Sequence, residues 1–272
     1  MHFLEKLDAV TAKNNSVLCV GLDSELAKIP AQLGGDADAV LAFNRAIIAA
    51  TADLVQSYKL NLAFYETLGP RSWEVLRGTL DAIPADVLTI GDAKRGDIGN
   101  TSTMYAKALF EELGFDACTV APYMGRDSVQ PFLAYRDKGV FLLALTSNKG
   151  SRDFQYLSVD GEPLYKHVVR TAMQWNEADN LGFVVGATHP DELRELRALC
   201  GEIPLLIPGL GAQGGDVQAS VEAGVTPTGH RAVFNSSRGI IFAGQGEDYA
   251  QRARDAALAL RDEINLYRPQ VA

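Results

Sequence analysis

Charged side chains crowd into the stretch 91–98, whose sequence is GDAKRGDI. Asp92 and Lys94 are two residues apart, and in an extended strand residues at that spacing point to the same side. A neighbouring carboxylate keeps an amine protonated and aimed. Together with Lys59 and Asp97 they form a set that alternates base and acid, which lets every charge be paired in a dry pocket. We therefore predict that Lys59, Asp92, Lys94 and Asp97 are catalytic.

Lys59 is the most informative member of this set, because it lies inside the apolar segment SYKLNLAFYE. Lysine is rarely buried without a partner, so its position indicates a functional role. The alternative for the whole set is an exposed cluster of ion pairs, and it is weakened if all four charges converge on one pocket.

A second candidate site is the glycine-rich segment GLGAQGGD at 209–216, with Arg238 further along the chain. Glycines let backbone N–H groups approach an anion closely, and the start of a following helix adds a favourable dipole. Arg238 can donate two parallel hydrogen bonds to a phosphate. A glycine-rich segment alone is often only a turn, but in combination with Arg238 it predicts a phosphate site.

Short apolar runs alternate with longer amphipathic segments along the chain. The runs are rich in Val, Leu and Ile and mostly do not alternate in polarity, which is typical of parallel strands buried on both faces. The predicted strands are 17–22, 57–63, 87–91, 116–121, 139–145, 182–187, 204–208 and 231–235. The predicted helices are 37–54, 70–82, 99–113, 127–136, 163–177, 189–199, 214–223 and 247–266.

Eight strand–helix units predict an α/β fold, a TIM (β/α)8 barrel that forms a single domain over residues 1–272. The alternative is an open doubly wound sheet, which usually carries a glycine fingerprint after its first strand. The first predicted strand instead ends in VGLDSELAKIP, without that fingerprint.

In a barrel, catalytic groups lie at the C-terminal ends of the strands, and the loops after strands seven and eight often bind phosphate. Most of the predicted strands carry polar residues at or near that end. These are Asp23, Lys59, Asp92 with Lys94, the segment 146–148 (Thr-Ser-Asn), Pro208 with the glycine-rich segment, and Ser236, Ser237 and Arg238. Taken singly, each of these except Lys59 is as readily interpreted as a solvated loop end.

Composition restricts the partners. The formal net charge is −9 and the pI is about 5.0, which disfavours nucleic acid. A phosphate-bearing substrate would need local positive groups in its pocket. The three cysteines give no disulfide framework, and we expect a cytoplasmic protein with no membrane association. The four scattered histidines form no ligand pattern, and we expect neither a metal nor another cofactor.

The sequence resembles the orotidine 5′-phosphate decarboxylase family, in its longer bacterial branch. The motif that carries the resemblance is Asp-x-Lys-x-x-Asp, which is present as Asp92, Lys94 and Asp97 and is followed by Ile98 and Thr101. The similarity continues in order over nearly the whole chain. Its further positions are Leu22-Asp23, Lys59, Thr146-Ser147-Asn148, Pro208-Gly209, Gln213 and Arg238-Gly239.

The resemblance implies decarboxylation of orotidine 5′-phosphate to uridine 5′-phosphate in pyrimidine biosynthesis, with no cofactor. Asp23 would hold the ribose, and Lys59 would contact the sugar and brace the charges. Asp92 would lie beside the substrate carboxylate, and Lys94 would protonate C6 of the pyrimidine.

The resemblance also implies a homodimer with shared active sites, in which Asp97, Ile98 and Thr101 reach into the neighbouring subunit's site. The other substrate-binding positions implied are Ser147 for the pyrimidine edge, Gln213 and Arg238 for the phosphate, and Pro208 and Ser237. The chain departs from the family pattern at Ser237, where many relatives have glycine. We expect the backbone N–H of Ser237 to donate to the phosphate.

Two other functions compete with this interpretation. A metal-dependent sugar-phosphate decarboxylase or aldolase of the same barrel family would share the Asp-x-Lys-x-x-Asp motif, but Lys59 would crowd a divalent cation. A ligand-binding barrel without catalysis is disfavoured, because all the charged positions are intact.

Overall fold

Eight parallel strands close into a barrel, in which the first and last strands are hydrogen-bonded to each other. The computed structural model describes residues 2–210 and 216–269. The barrel strands are β1 (Leu18–Gly21), β2 (Ser57–Asn61), β3 (Leu88–Arg95), β4 (Ala117–Val120), β5 (Gly139–Leu145), β8 (Leu181–Val185), β9 (Leu205–Pro208) and β10 (Ala232–Ser236). Two short strands, β6 (Ser158–Val159) and β7 (Glu162–Pro163), form a hairpin outside the barrel. Each predicted strand overlaps one barrel strand, which confirms the predicted fold.

Helices cover the outside of the barrel. They are α1 (Phe3–Asn14), α2 (Ala37–Thr51), α3 (Leu62–Glu66), α4 (Ser72–Leu80), α5 (Gly99–Lys107), α6 (Arg126–Leu133), α7 (Ser151–Phe154), α8 (Leu164–Met173), α9 (Pro190–Cys200), α10 (Val217–Gly224), α11 (Arg238–Ile241) and α12 (Tyr249–Tyr267). Each predicted helix overlaps one of them. Helix α9 shows why such predictions succeed, because it begins with a proline and has Asp191 and Glu192 in its first turn, where the helix dipole favours them.

Helix α1 was not predicted, and it closes one end of the barrel. Its start is capped by a reciprocal pair of hydrogen bonds: the His2 side chain accepts from Leu4 N, and Glu5 accepts from His2 N. Phe3 packs edge-to-face on Phe141, with ring centroids 5.8 Å apart. A Cβ on Gly139 would lie 2.6 Å from the Phe3 ring, so any larger residue there would force Phe3 to shift. The closed end leaves the C-terminal ends of the strands as the accessible side.

No helix within residues 2–210 and 216–269 is both long and apolar enough to cross a membrane.

Candidate active site

A cavity opens at the C-terminal ends of the barrel strands. Its apolar lining includes Leu143, Val184 and Leu206 of the barrel strands, and charged and polar side chains make up much of the rest. Seven charged side chains line it: Asp23, Glu25, Lys28, Lys59, Asp92, Lys94 and Arg238. Four of them are cationic and three are anionic, so the cavity is locally positive in a chain whose overall charge is negative. This is the condition that an anionic substrate requires.

Four of these side chains form a continuous row, Asp23–Lys59–Asp92–Lys94, which we call the charge row. Lys59 is only 4 % exposed. Its Nζ lies 2.9 Å from Asp92 Oδ2 and 3.5 Å from Asp23 Oδ1. The Lys94 ammonium donates to Asp92 Oδ1 at 2.6 Å. Lys59 is therefore buried with two carboxylates beside it, and Asp23 takes the outer position.

Thr119 on β4 completes the surroundings of Asp92 and was missed from the sequence. Its hydroxyl donates to Asp92 Oδ1 at 2.9 Å and accepts from the backbone N of Lys94, also at 2.9 Å. A threonine within a buried strand looks like any β-branched strand residue, and only the neighbouring strand reveals its second role. Thr119 thus holds both ends of the Asp92–Lys94 pair.

The backbone at Lys94 departs from regular strand geometry. Lys94 has a φ of +46°, in the left-handed region, and the register against β4 shifts between Gly91 and Arg95. Simple alternation along a strand therefore does not bring Asp92 and Lys94 together, although their side chains do meet. The irregularity lies in a bulge at a barrel rim, where such features often redirect a side chain. A non-glycine residue in this conformation costs about 1–3 kcal/mol and marks positions that are held by their surroundings.

The charge row keeps its two buried members, Lys59 and Asp92, ionised. Burial raises the pKa of Asp92, but the cations Lys59 and Lys94 outweigh it and hold the pKa well below its usual range. Burial lowers the pKa of Lys59, but the carboxylates of Asp23 and Asp92 outweigh it and raise the pKa above its ordinary value. Opposite charges therefore stabilise each other where a single buried charge would be neutralised.

The predicted residues Asp97, Ile98 and Thr101 are not among those that line this cavity. Asp97 precedes α5, and its carboxylate accepts from the backbone N of Ile98 at 2.7 Å. Ile98 is 52 % exposed, and Thr101 is also exposed. These three residues therefore do not line the cavity of their own chain.

Ser147 lies on the turn after β5 and is not among the residues that line the cavity. The turn is held by Gln155, whose amide accepts from Thr146 N and donates to Thr146 Oγ1, both at 2.8 Å. A Cβ on Gly186 would lie 2.9 Å from Ser147 Cβ, so the turn packs closely against the chain that leaves β8. Gln155 was not singled out from the sequence, because its partners become neighbours only through the fold of this turn.

The part of the cavity that follows β9 and β10 carries the predicted phosphate residues. Pro208, Ser237 and Arg238 all line it, and Arg238 begins helix α11. Gln213 lies outside the described residues.

Two further charged residues of the cavity follow β1. Lys28 lines the cavity together with Glu25, and the two form an ion pair at 2.5 Å. Neither of these two residues was predicted, because they follow β1 in an irregular segment without a recognisable motif.

Fold and site together define the class: a parallel (β/α)8 barrel with alternating lysines and aspartates at the C-terminal ends of β1, β2 and β3. Among residues 2–210 and 216–269, no group of three or more His, Cys, Asp or Glu side chains is arranged to hold a metal ion.

A family model described as "Orotidine 5'-phosphate decarboxylase / HUMPS family" matches residues 16–253, and the chain belongs to that family. The chain is 53 % identical to an orotidine 5′-phosphate decarboxylase from Azoarcus sp. (strain BH72), covering 98 % of this chain and 100 % of that protein. It is 50 % identical to one from a Dehalococcoides mccartyi strain, covering 98 % and 99 %. The solved structure of Leishmania donovani OMP decarboxylase is 38 % identical, with a TM-score of 0.86 and 98 % of each chain covered. The predicted family is confirmed.

Proposed function

We propose that this chain decarboxylates orotidine 5′-phosphate to uridine 5′-phosphate, as a cofactor-free step of pyrimidine biosynthesis. The observation that carries the proposal is the charge row, which ends in an ammonium group at the open side of the cavity. Relatives at about half identity over nearly the full chain carry the name of this activity. The three cysteines are buried as free thiols, which fits a reducing compartment such as the cytoplasm.

The reaction places a demand that the charge row meets. Breaking the bond between C6 and the carboxylate carbon releases CO2 and leaves the electron pair on C6, where the pyrimidine ring delocalises it poorly. Without a cofactor as electron sink, stabilisation has to come from charges already in position. The Lys94 ammonium stabilises the carbanion and then transfers a proton from Nζ to C6. Its side chain is 47 % exposed, so solvent can return that proton.

Asp92 has a second role in this proposal. Both of its oxygens are already engaged by ammonium groups, Lys59 on one side and Lys94 on the other, so it stays ionised beside the substrate carboxylate. The two like charges repel each other, and the repulsion is relieved when CO2 leaves. The same pairing holds Lys94 in the direction of the reacting carbon.

The remaining contacts position the substrate. Arg238, together with Gln213, would bind the phosphate beside Pro208, while Ser147 would contact the pyrimidine edge. Asp23 and Lys59 would bind the ribose hydroxyls between these two ends. Binding energy from the phosphate, far from C6, can be used to align the reacting atoms with Lys94.

We also propose a homodimer in which Asp97, Ile98 and Thr101 serve the partner's site. Large apolar side chains are exposed at the start of α5, within α5 and in the loop after β4. They are Ile98 (52 % exposed), Met104 (50 %), Tyr123 (89 %) and Met124 (45 %). Exposed apolar groups that form one patch mark interaction surfaces, and we propose that these four do. A second copy would cover this surface and bring each Asp97 to the other chain's Lys94.

Mixing two inactive variants tests the shared site. Lys94→Ala and Asp97→Ala should each be nearly inactive, whereas each heterodimer would contain one site with both residues intact. Random exchange of subunits should then restore about a quarter of the wild-type specific activity, since half of the dimers are mixed and half of their sites are intact. Mixtures that stay inactive after subunit exchange would contradict the shared site.

A metal-dependent reaction on a related sugar phosphate is the main competing function. Divalent cations bind carboxylate oxygens, but Lys59, Lys94 and Thr119 already donate to Asp92. The test is turnover of orotidine 5′-phosphate by purified protein, followed by the loss of pyrimidine absorbance, with and without a chelator. We expect equal rates in both. Activity that vanished with the chelator, or binding of uridine 5′-phosphate without any turnover, would contradict the proposed function.

A further inference from the structure

The hydroxyl of Ser237 bridges the seam at which the barrel closes. Ser237 directly follows the last strand, β10, yet its Oγ donates to Asp23 Oδ2, beyond the first strand, at 2.8 Å. The other carboxylate oxygen of Asp23 faces Lys59 Nζ at 3.5 Å. Ser237 therefore fixes the outer end of the charge row.

Gly21 makes room for this hydroxyl. A Cβ on Gly21 would lie 1.9 Å from Ser237 Oγ and 3.0 Å from Ser237 Cβ. The backbone of Gly21 is not in the left-handed region, so glycine is required here for space and not for its conformational freedom. Asn235 closes the third side, with Nδ2 3.5 Å from Ser237 Oγ. The hydroxyl thus occupies a place shaped by β1 and β10.

We infer that Ser237 is a positioning residue, which acts through Asp23 on the ribose end of the substrate and not on the phosphate end. The inference rests on the proposed function and adds a specific role for the hydroxyl, whereas the sequence predicted a phosphate contact through the backbone N–H. With one oxygen held by Ser237 and the other facing Lys59, Asp23 presents a fixed carboxylate to the cavity that it lines. A sugar hydroxyl then meets an acceptor that has lost its rotational freedom.

Ser237→Ala is the first test. It should lower kcat/KM for orotidine 5′-phosphate about tenfold, and the affinity for uridine 5′-phosphate by the same factor, as expected for the loss of a hydrogen bond to a charged group. Inhibition by inorganic phosphate, which reports on the phosphate end alone, should not change. Ser72→Ala is the matched control, because its hydroxyl donates to Gly69 O at 2.7 Å outside the cavity, and it should leave all three measurements unchanged.

The glycine–serine pair gives a second test that does not depend on Ser237→Ala. Gly21→Ala should displace the Ser237 hydroxyl and lower activity more than Ser237→Gly does, because the new Cβ also strains the seam. Combining the two changes removes the two atoms nearest the new Cβ and leaves Asn235 Oδ1 at 3.1 Å from it. The double variant should therefore recover most of the activity of Ser237→Gly alone, which is a non-additive outcome.

Two results would overturn the inference. One is a Ser237→Ala variant with weakened inhibition by inorganic phosphate, which would place its action at the phosphate end. The other is a double variant whose losses simply add. Failure of the proposed function is separate, because wild-type protein would then show no turnover of orotidine 5′-phosphate. Thermal unfolding midpoints of all the variants show whether an activity loss reflects loss of folded protein.

Discussion

Two lysine–aspartate pairs stand at opposite ends of the same barrel. At the closed end, Lys6 of α1 lies 2.7 Å from Asp116, with side chains 18 % and 20 % exposed. At the open end, Lys59 lies 2.9 Å from Asp92, with side chains 5 % and 8 % exposed. Each aspartate also accepts from a threonine hydroxyl at 2.9 Å, from Thr89 or from Thr119.

The difference between the pairs lies in what else surrounds each carboxylate. Asp116 has one ammonium partner and a backbone N–H from Thr89, and the pair ties α1 to the barrel. Asp92 has two ammonium partners, and the second one, Lys94, is half exposed to the cavity. The same residue types therefore anchor a helix at the closed end, whereas at the open end a second cation faces the cavity, where the proposed function needs it.

Of the substitutions that test the difference between the two pairs, Lys59→Ala should have the largest effect on stability and turnover. It leaves the carboxylates of Asp23 and Asp92 without their shared cation, and removal of one partner from a buried pair costs about 3–5 kcal/mol. We expect the free energy of unfolding in urea to fall by about 3 kcal/mol and most of the turnover to be lost. A loss below about 1 kcal/mol, typical of an exposed pair, would show that the Lys59–Asp92 pair contributes no more to stability than an exposed pair does.

A smaller effect is expected on the pH dependence of stability, and Asp92→Asn tests it. Because Lys59 and Lys94 hold the pKa of Asp92 below its unfolded value, its ionised form stabilises the fold at neutral pH. That contribution is fully present above about pH 4 and disappears as the pH falls through the lowered folded-state pKa. Asp92→Asn should therefore be less stable than wild type by about 2 kcal/mol at pH 7, and the gap should narrow below about pH 4. Urea midpoints across this range measure it, and a constant gap would argue against the pairing.

The smallest effect should come from Lys6→Ala at the closed end. Asp116 keeps both hydrogen bonds from Thr89 and is partly solvated, so the loss should be about 1 kcal/mol. Turnover should not change, because the pair lies at the opposite end of the strands from the cavity. A clear drop in kcat with normal stability would mean that the two ends are coupled.

The sequence predicted those features that depend on composition and local pattern. Buried parallel strands need continuous apolar runs, so the eight barrel strands could be located. A lysine in such a run needs an opposite charge, so the pairing of Lys59 could be anticipated. Asp23 was recognised at the end of the first strand, but its contact with Ser237 depends on barrel closure over more than two hundred residues of chain.

Other features arise only in three dimensions. The left-handed backbone of Lys94 depends on a bulge against β4, and Thr119 takes part because that bulge brings the Lys94 N–H to its hydroxyl. Helix α1 was not predicted, and its sequence would not have shown that it covers the closed end, because an amphipathic pattern does not say which surface a helix packs on. The role of Asp97 stays a prediction, since its expected partner would be a second chain.

The role of Lys94 as the proton donor to C6 is tested most directly by Lys94→Ala, assayed for orotidine 5′-phosphate turnover and for uridine 5′-phosphate binding beside Lys6→Ala. We expect kcat to fall at least about a thousandfold, while the variant remains folded and still binds the nucleotide, and Lys6→Ala turns over like wild type. A folded Lys94→Ala variant with turnover within about tenfold of wild type, far less than loss of a proton donor predicts, would contradict this role.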